Sequence, residues 1–192
     1  MDLLNDILRS MRQISVYDKR LIAEIADEIV IKHPPEAWKI ISEFLISDAD
    51  DRRTVIHWLA DTGFGDTTKP SAANYLPAEK VLRWLKKDPE KRQWLILEIL
   101  PKTLDQEAGG KLTCLFIEKF CDDDRVAYSL FGHFYSGGWT GPESNYLSRK
   151  RDAARQWLKE ISSVKIQLWL GKYIDHLNGL IEDAQIREER EF

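Results

Sequence analysis

The sequence predicts an all-α protein, a right-handed α-solenoid of about four to five antiparallel helical hairpins. Three observations predict this fold class. Apolar residues recur with helical spacing almost from end to end. Short motifs recur once along the chain, and prolines, glycines and runs of aspartate divide it into segments of helix length. Strand-like alternation competes with the helical pattern only briefly, at residues 94–99.

Each predicted helix carries a stripe of apolar residues, and several also have a recognisable start signal. Pro34-Pro35 and Asp88-Pro89 each open a helix, because proline is tolerated only in the first turn. The run Asp122-Asp123-Asp124 supplies acceptors for the exposed N–H groups of another. Trp94, Leu95 and Leu168 are assigned to buried faces. The stripes lie at 3–11, 21–30, 38–45, 55–59, 78–87, 94–99, 112–120, 126–134, 147–158 and 166–181.

Four short motifs recur at a nearly constant offset, which indicates a stack of similar units. Unequal offsets indicate insertions in loops. The matched pairs are Asn74-Tyr75-Leu76 with Asn145-Tyr146-Leu147, Trp84-Leu85-Lys86 with Trp157-Leu158-Lys159, Asp50-Asp51-Arg52 with Asp123-Asp124-Arg125, and His57-Trp58 with His133-Phe134.

We interpret the 192 residues as one helical repeat domain. It would comprise an N-terminal hairpin at 1–33, a first double-hairpin unit at 34–103, and a second at 104–192. The last turns, 182–191, are almost wholly charged, as the uncovered outer face of an end repeat requires. Within them, Asp183 and Arg187 have the spacing of a helical ion pair.

Residues 34–181 resemble HEAT or armadillo-type repeats in three respects. They form pairs of antiparallel helices of about 33 to 40 residues, they have Asp-rich turns within each pair, and they carry an apolar-x-x-Trp-Leu pattern on the first helix. The segment 136–146, which contains Gly137-Gly138-Trp139 and precedes two long helices, resembles the C-terminal end of helical-repeat regions in large bacterial proteins, some linked to phage defence. That resemblance implies a partner or a larger assembly, and no intrinsic catalytic activity.

Composition points to a mildly acidic cytoplasmic protein. Basic residues number 28 against 32 acidic ones, and a generic polyanion binder should be more basic. Neither a membrane-spanning run nor an export signal is recognisable, since Asp2 and Asp6 stand where a signal peptide is basic. Cys114 and Cys121 share one helix face about 10 Å apart, too far for a disulfide and typical of small core residues.

The two edges of such a stack differ in sequence. Turns within pairs are acidic, which indicates either N-capping or an acidic rim. The other edge carries two long loops, Gly63–Pro77 and Ser136–Ser144, each combining glycines with an aromatic residue, Phe64 or Trp139. Long ordered loops often bind partners, although both aromatics could instead pack onto helix ends. The rim residues are Asp48, Asp50, Asp51, Asp88, Asp122, Asp123 and Asp124.

Basic residues form two clusters, which either contact phosphates or an acidic protein, or simply face solvent. Acids such as Glu90 and Asp152 interrupt both clusters, which favours solvated faces. The clusters are Arg149, Lys150, Arg151 and Arg155, and Lys86, Lys87, Lys91 and Arg92.

No motif for nucleotide, serine or zinc chemistry occurs, so we expect no enzymatic activity, no cofactor and no metal. The four histidines are scattered, and His57 and His133 fall at the ends of matching helices, where imidazole meets terminal carbonyls. An alternative is a HEAT-like DNA glycosylase, to which seven tryptophans would contribute. The acidic charge, and the position of most tryptophans on apolar stripes, argue against it.

The leading hypothesis is a non-enzymatic protein–protein interaction module, or a subunit of a complex, that binds through the glycine-aromatic loop edge. The partner is another protein, with nucleic acid less favoured and no membrane. A third hypothesis is an immunity or inhibitor protein acting through the acidic rim. The expected contact residues are Phe64, Tyr75, Trp139, Tyr146 and Arg149.

Overall fold

The computed structural model describes residues 2–11, 16–60, 71–101, 106–136 and 138–190. Within these ranges the chain forms ten α-helices and one short 3₁₀ helix, with no strand, which confirms the predicted all-α class. Every helix in these ranges is too short or too polar to span a bilayer. The helices are α1 (Asp2–Ser10), α2 (Val16–Lys32), α3 (Pro34–Leu45), α4 (Ala49–Ala60), the 3₁₀ helix (Ala72–Tyr75), α5 (Ala78–Leu85), α6 (Pro89–Ile99), α7 (Gln106–Phe120), α8 (Asp124–Tyr135), α9 (Glu143–Glu160) and α10 (Val164–Arg190).

Contacts between Cα atoms divide the chain into two compact units. The first unit comprises Met1–Pro101 with Gly110–Thr113, and the second comprises Lys102–Gly109 with Cys114–Phe192. The division falls close to the predicted boundary at residue 103. A single repeat domain over 1–192 stays a prediction.

The first unit is built from α1 to α6, and α3, α5 and α6 begin where the sequence predicts. Proline occupies the first positions of α3 and α6, and Asp88 precedes α6 as its N-cap residue. Helix α3 contacts α2, α4 and α5, and α4 contacts α6 as well as α3. The core between these helices is apolar. Its fully buried members include Ile41, Leu45, Val55, Leu59, Val81, Leu85, Ile96 and Ile99.

Three contacts of tryptophan side chains tie the helices of the first unit together. Trp38 on α3 packs edge-to-face on Trp84 of α5, with ring centroids 5.5 Å apart. The Arg92 guanidinium of α6 lies over the ring of Trp84, 4.3 Å from its centroid. It also donates a hydrogen bond to the Trp84 carbonyl at 2.7 Å. Trp58 of α4 donates its indole N–H to Asp27 of α2 at 2.8 Å. These contacts combine area burial with directional pairing.

In the second unit, α9 and α10 form a long antiparallel hairpin joined at 161–163. Helix α8 packs against α10 through buried aromatic side chains. At one end Lys165 pairs with Asp122 at 2.5 Å, and at the other Arg187 pairs with Glu143 at 2.7 Å. The aromatic core contains Phe131, Phe134, Trp169 and Tyr173.

The structure corrects four details of the predicted helices. Part of the predicted loop before residue 77 forms the 3₁₀ helix, and α5 ends at Leu85 rather than Lys87. Trp94 and Leu95 are half-buried, because α6 turns Ile96, Leu97 and Ile99 inward. Leu168 is exposed, since the part of α10 that carries it buries Trp169 and Leu170.

The recurring motifs occupy comparable positions within their own units. The aspartates begin α4 and α8, and the His-aromatic pairs lie in the last turns of the same two helices. The Trp-Leu-Lys motifs lie at the C-terminal ends of α5 and α9. The Asn-Tyr-Leu motifs differ: the first occupies the 3₁₀ helix, which Pro77 separates from α5, whereas the second lies inside the first turn of α9.

Candidate functional site

The candidate site is built on the connection between α8 and α9. Helix α8 ends at Tyr135, and α9 begins at Glu143 after Pro142 in extended conformation. Gly141 adopts a φ of 89°, a region that side-chain-bearing residues rarely occupy. This Gly-Pro pair lies between Trp139 and the first residue of α9.

Trp139 and Tyr146 form a parallel stack, which we call the aromatic platform. Their ring centroids lie 5.1 Å apart with an interplanar angle of 17°. Tyr146 is 9% exposed, whereas Trp139 remains 42% exposed. One indole face therefore lies on a buried tyrosine, while much of the indole stays accessible to solvent.

Tyr146 is held on its other sides. Its hydroxyl donates to the carbonyl of Tyr135 at 2.9 Å, and Lys150 Nζ lies 5.5 Å from its ring centroid. Burial raises the pKa of the Tyr146 phenol, and the charge of Arg149 opposes that rise. Because the phenol stays protonated at neutral pH, it keeps its donor role.

A polar network fixes the base of the loop. Tyr135 donates its hydroxyl to Glu143 Oε1 at 3.0 Å, and Arg187 donates to Glu143 Oε2 at 2.7 Å. Burial raises the pKa of Tyr135, and its hydrogen bond to Glu143 adds to the rise. The end of α8, the start of α9 and the last turns of α10 are thereby joined at one point.

The N-terminus of α9 is capped by a residue from α10. Pro142 offers no side-chain cap, and Glu188 accepts instead from the Ser144 N–H at 3.0 Å and the Ser144 hydroxyl at 2.6 Å. These hydrogen bonds lower the pKa of Glu188. A carboxylate at this position also favours the positive end of the helix dipole.

Cations lie beside the platform on the exposed surface of α9. Arg149 is exposed and has no carboxylate partner within the described ranges. Arg151 and Arg155 both approach Asp152, at 3.0 and 3.6 Å. The basic cluster of α9 therefore splits into cations next to the platform and cations shared with an acid.

The structure brings three of the five predicted contact residues together, Trp139, Tyr146 and Arg149. Tyr75 lies in the first unit, at the end of the 3₁₀ helix, and is 39% exposed. Phe64 lies outside the described residues. Trp139 combines both predicted alternatives, since it packs onto the start of a helix and also stays partly exposed.

The acidic turns serve mainly as helix caps and ion pairs. Asp48 accepts from the N–H groups of Asp50 and Asp51, both at 3.0 Å, and Asp123 accepts from that of Arg125 at 2.9 Å. Asp88 makes no side-chain cap bond. Capping is therefore the observed role at two of these turns.

Sequence reasoning missed the residues that support the platform. Arg187 pairs with Glu143 rather than making the ion pair predicted with Asp183, although the Asp183 charge still acts on it. Tyr135 and Glu188 were not singled out at all. Their only sequence signal is their position at helix ends, which identifies neither the partner of Tyr135, 8 residues away, nor that of Glu188, 44 residues away.

The other candidate groups lie in ordinary surroundings. Cys114 and Cys121 are free, half-buried thiols, and burial raises the pKa of both, that of Cys121 to about 12. His57 and His133 lie in the last turns of α4 and α8, as predicted. Among the residues that the structure describes, no group of three or more potential ligands is placed to hold a metal ion.

Comparison with known protein families, with curated proteins and with solved structures gives no match to this chain. The fold and the site define an all-α protein with a partly exposed aromatic platform at a helix–helix connection.

Proposed function

We propose that this chain is a non-enzymatic protein–protein interaction module, or a subunit of a complex, that binds its partner through the loop between α8 and α9. The observation that carries the proposal is the platform: Trp139 is 42% exposed although it is stacked on a buried tyrosine. Tyr146 and Arg149 are proposed to contact the partner beside Trp139. Phe64 and Tyr75, in the first glycine-aromatic loop, are proposed as further contact residues.

Preorganisation supports a binding role for Trp139. An exposed indole that rests on a fixed ring loses little conformational freedom when a partner covers it. Tryptophan and tyrosine are frequent energetic anchors of protein interfaces. Here the phenol hydrogen bond to Tyr135 and the Gly141 turn hold the platform in place before any partner arrives.

The same proposal includes a HEAT-like right-handed solenoid in which such a loop edge would be presented. Within the first unit, α3 contacts α5 and α4 contacts α6. Each helix of the α3–α4 pair therefore contacts the corresponding helix of the α5–α6 pair, which supports stacked hairpins. A cytoplasmic setting remains part of this proposal and is supported by the mildly acidic composition. A bacterial origin linked to phage defence is also part of it and rests on the sequence resemblance alone.

Affinity capture tests the proposed interaction. The tagged chain, its Trp139→Ala variant and a Tyr128→Ala control are each exposed to lysate of the native host, and captured proteins are quantified by mass spectrometry. Tyr128 is a matched control because it is an aromatic residue of the second unit that is 65% exposed. We expect Trp139→Ala to reduce capture of specific partners about tenfold or more, with little change in Tm.

Two results would contradict the proposal. Capture that is unchanged in Trp139→Ala would show that the platform is not the contact. A large fall in Tm with capture intact would make Trp139 a structural residue. The rival nucleic-acid hypothesis predicts binding that falls steeply with salt, so a gel-shift titration at low salt separates the two.

A further inference from the structure

Cations outnumber carboxylates on the part of α9 that follows Tyr146, five against two, although the chain as a whole is acidic. Three described carboxylates around the platform are each engaged by groups of the second unit. Glu143 accepts from Tyr135 and Arg187, and Glu188 accepts from Ser144. The third, Asp152, is shared by two arginines.

Two cations, Arg149 and Lys150, lie next to the platform on α9. Arg149 and Lys150 follow Tyr146 by three and four residues, so they flank the tyrosine on the same side of α9. Lys150 Nζ lies over the Tyr146 ring, and Arg149 is exposed without a carboxylate among the described residues. Ala153, one turn further on, is exposed and adds little bulk above this surface.

From this complementarity we propose that the platform binds an acidic segment of a partner protein in which carboxylates flank a proline or an aromatic side chain. The proline or aromatic ring packs on the exposed part of the Trp139 indole, as such rings do in aromatic-lined peptide grooves. A neighbouring carboxylate pairs with Arg149, whose planar guanidinium can bind it in bidentate fashion. This inference rests on the proposed interaction function and specifies the chemistry of the partner.

A protein segment fits better than single-stranded nucleic acid. A nucleic-acid strand needs a continuous track of cations along its phosphates in addition to a stacking platform. Beyond Arg149 and Lys150, the next cations of α9 share Asp152, and acids outnumber bases in the chain, 32 against 28. The Arg149 guanidinium suits a single carboxylate rather than a run of phosphates.

An array of short synthetic peptides tests the inference on the full-length chain. The peptides vary independently in carboxylate content and in the presence of proline or aromatic residues, and matched versions carry glutamine for glutamate. The strongest peptide is then titrated by fluorescence polarisation. We expect the acidic, ring-containing peptides to bind best, and glutamine replacement to weaken binding at least about tenfold.

Two charge reversals give the matched comparison. Arg149→Glu should weaken the acidic peptide about tenfold or more, whereas Arg53→Glu, an equal charge change on the exposed surface of α4, should change affinity less than about twofold. Equal effects of the two reversals would overturn the inference. So would neutral or basic peptides that bind as well as acidic ones.

The outcomes separate this inference from the proposed function. If Trp139→Ala abolishes peptide binding while Arg149→Glu and glutamine replacement have no effect, the acidic-partner inference fails and the interaction function stands. If Trp139→Ala affects neither peptide nor partner capture, both fail. Tighter binding of a fluorescent oligothymidylate than of any peptide would assign the platform to nucleic acid instead.

Discussion

Glu188 and Ser144 are 44 residues apart in sequence, yet the Glu188 carboxylate accepts from both the N–H and the hydroxyl of Ser144. The N-terminus of α9 is therefore completed by α10, because Pro142 at the N-cap position has no side-chain acceptor. Arg187, the preceding residue of α10, pairs with Glu143 in the same turn of α9. Two adjacent residues thus fasten the hairpin at the end that carries the aromatic platform.

Removing this cap should destabilise the second unit. In Glu188→Gln the side chain keeps one oxygen acceptor but loses its charge, so we expect Tm to fall by a few degrees, and further in Glu188→Ala. Glu189→Gln is the matched control, because Glu189 is the exposed neighbour. Differential scanning calorimetry measures all three. A Tm for Glu188→Ala equal to that of the control would show that the cap contributes nothing.

The same carboxylate should make stability depend on pH in the acidic range. Hydrogen bonds from Ser144 lower the pKa of Glu188 in the folded state. Its contribution is therefore complete above the unfolded glutamate value of about 4.3, and is lost as pH falls through the folded value. We expect the Tm difference between wild type and Glu188→Gln to be constant near neutral pH and to shrink below about pH 4.

The Tm of Glu188→Gln must be subtracted from that of the wild type at each pH, because other carboxylates titrate in the same range. Asp123 also has a lowered pKa, chiefly through its hydrogen bond with Arg125. Acid destabilisation of the wild type alone would not identify Glu188. A Tm difference that grew on acidification would contradict the assigned direction of the shift.

Helix starts were predictable from local chemistry. Pro34 and Asp88-Pro89 mark first turns through a fixed φ and a missing N–H, and Asp123 accepts from the backbone as predicted. These signals need no knowledge of the tertiary structure, because a residue and its neighbours within one turn determine them. The order of the described helices followed from them.

Buried faces were less predictable where a helix is apolar on several sides. Around α6, apolar residues stand at 94–97 and again at 99 and 100, so the helical period alone does not decide which of them faces inward. The structure selects Ile96 over Trp94, and Trp169 over Leu168 on α10. That choice depends on the helices packed alongside, which periodicity does not specify.

Three of the five expected contact residues lie together, but the contacts within the candidate site were not predicted. Trp139 and Tyr146 were each expected to contact a partner, and the structure stacks them on one another. The Glu143–Arg187 and Ser144–Glu188 contacts depend on the register of the α9–α10 hairpin. A register between two long helices is set by their whole interface, which local motifs do not encode.

The phenol of Tyr146 should contribute to stability separately from the platform. Tyr146→Phe loses the hydrogen bond to the Tyr135 carbonyl but keeps a ring beneath Trp139, so we expect a loss of about 1 kcal/mol. Tyr146→Ala should cost about 3 kcal/mol or more, because a buried aromatic is removed. Urea denaturation gives the free energies of unfolding.

The hydrogen bond from Trp58 to Asp27 should also stabilise the protein, and two substitutions of Asp27 measure its contribution to the free energy of unfolding. Asp27→Asn keeps an oxygen acceptor without charge, whereas Asp27→Ala leaves the indole N–H of a largely buried tryptophan without it. We expect losses of about 1 and about 2 to 3 kcal/mol in the free energy of unfolding. The control is Glu28→Gln, whose exposed ion pair with Lys32 should be worth less than about 1 kcal/mol. Equal losses for Asp27→Ala and the control would mean that this bond does not stabilise the first unit.

Arg92 should stabilise the Trp38–Trp84 pair through its shape as well as its charge. The guanidinium lies 4.3 Å from the Trp84 ring centroid and also bonds the Trp84 carbonyl near the end of α5. Arg92→Lys keeps the charge but loses the planar stacking, so we expect a loss of about 0.5 to 1 kcal/mol in the free energy of unfolding, and about 1 to 2 kcal/mol for Arg92→Ala. Lys91→Ala, on the exposed side of the same helix, should stay within about 0.5 kcal/mol of wild type in urea denaturation. If Arg92→Lys matched wild type while Arg92→Ala lost stability, charge alone would account for the contact.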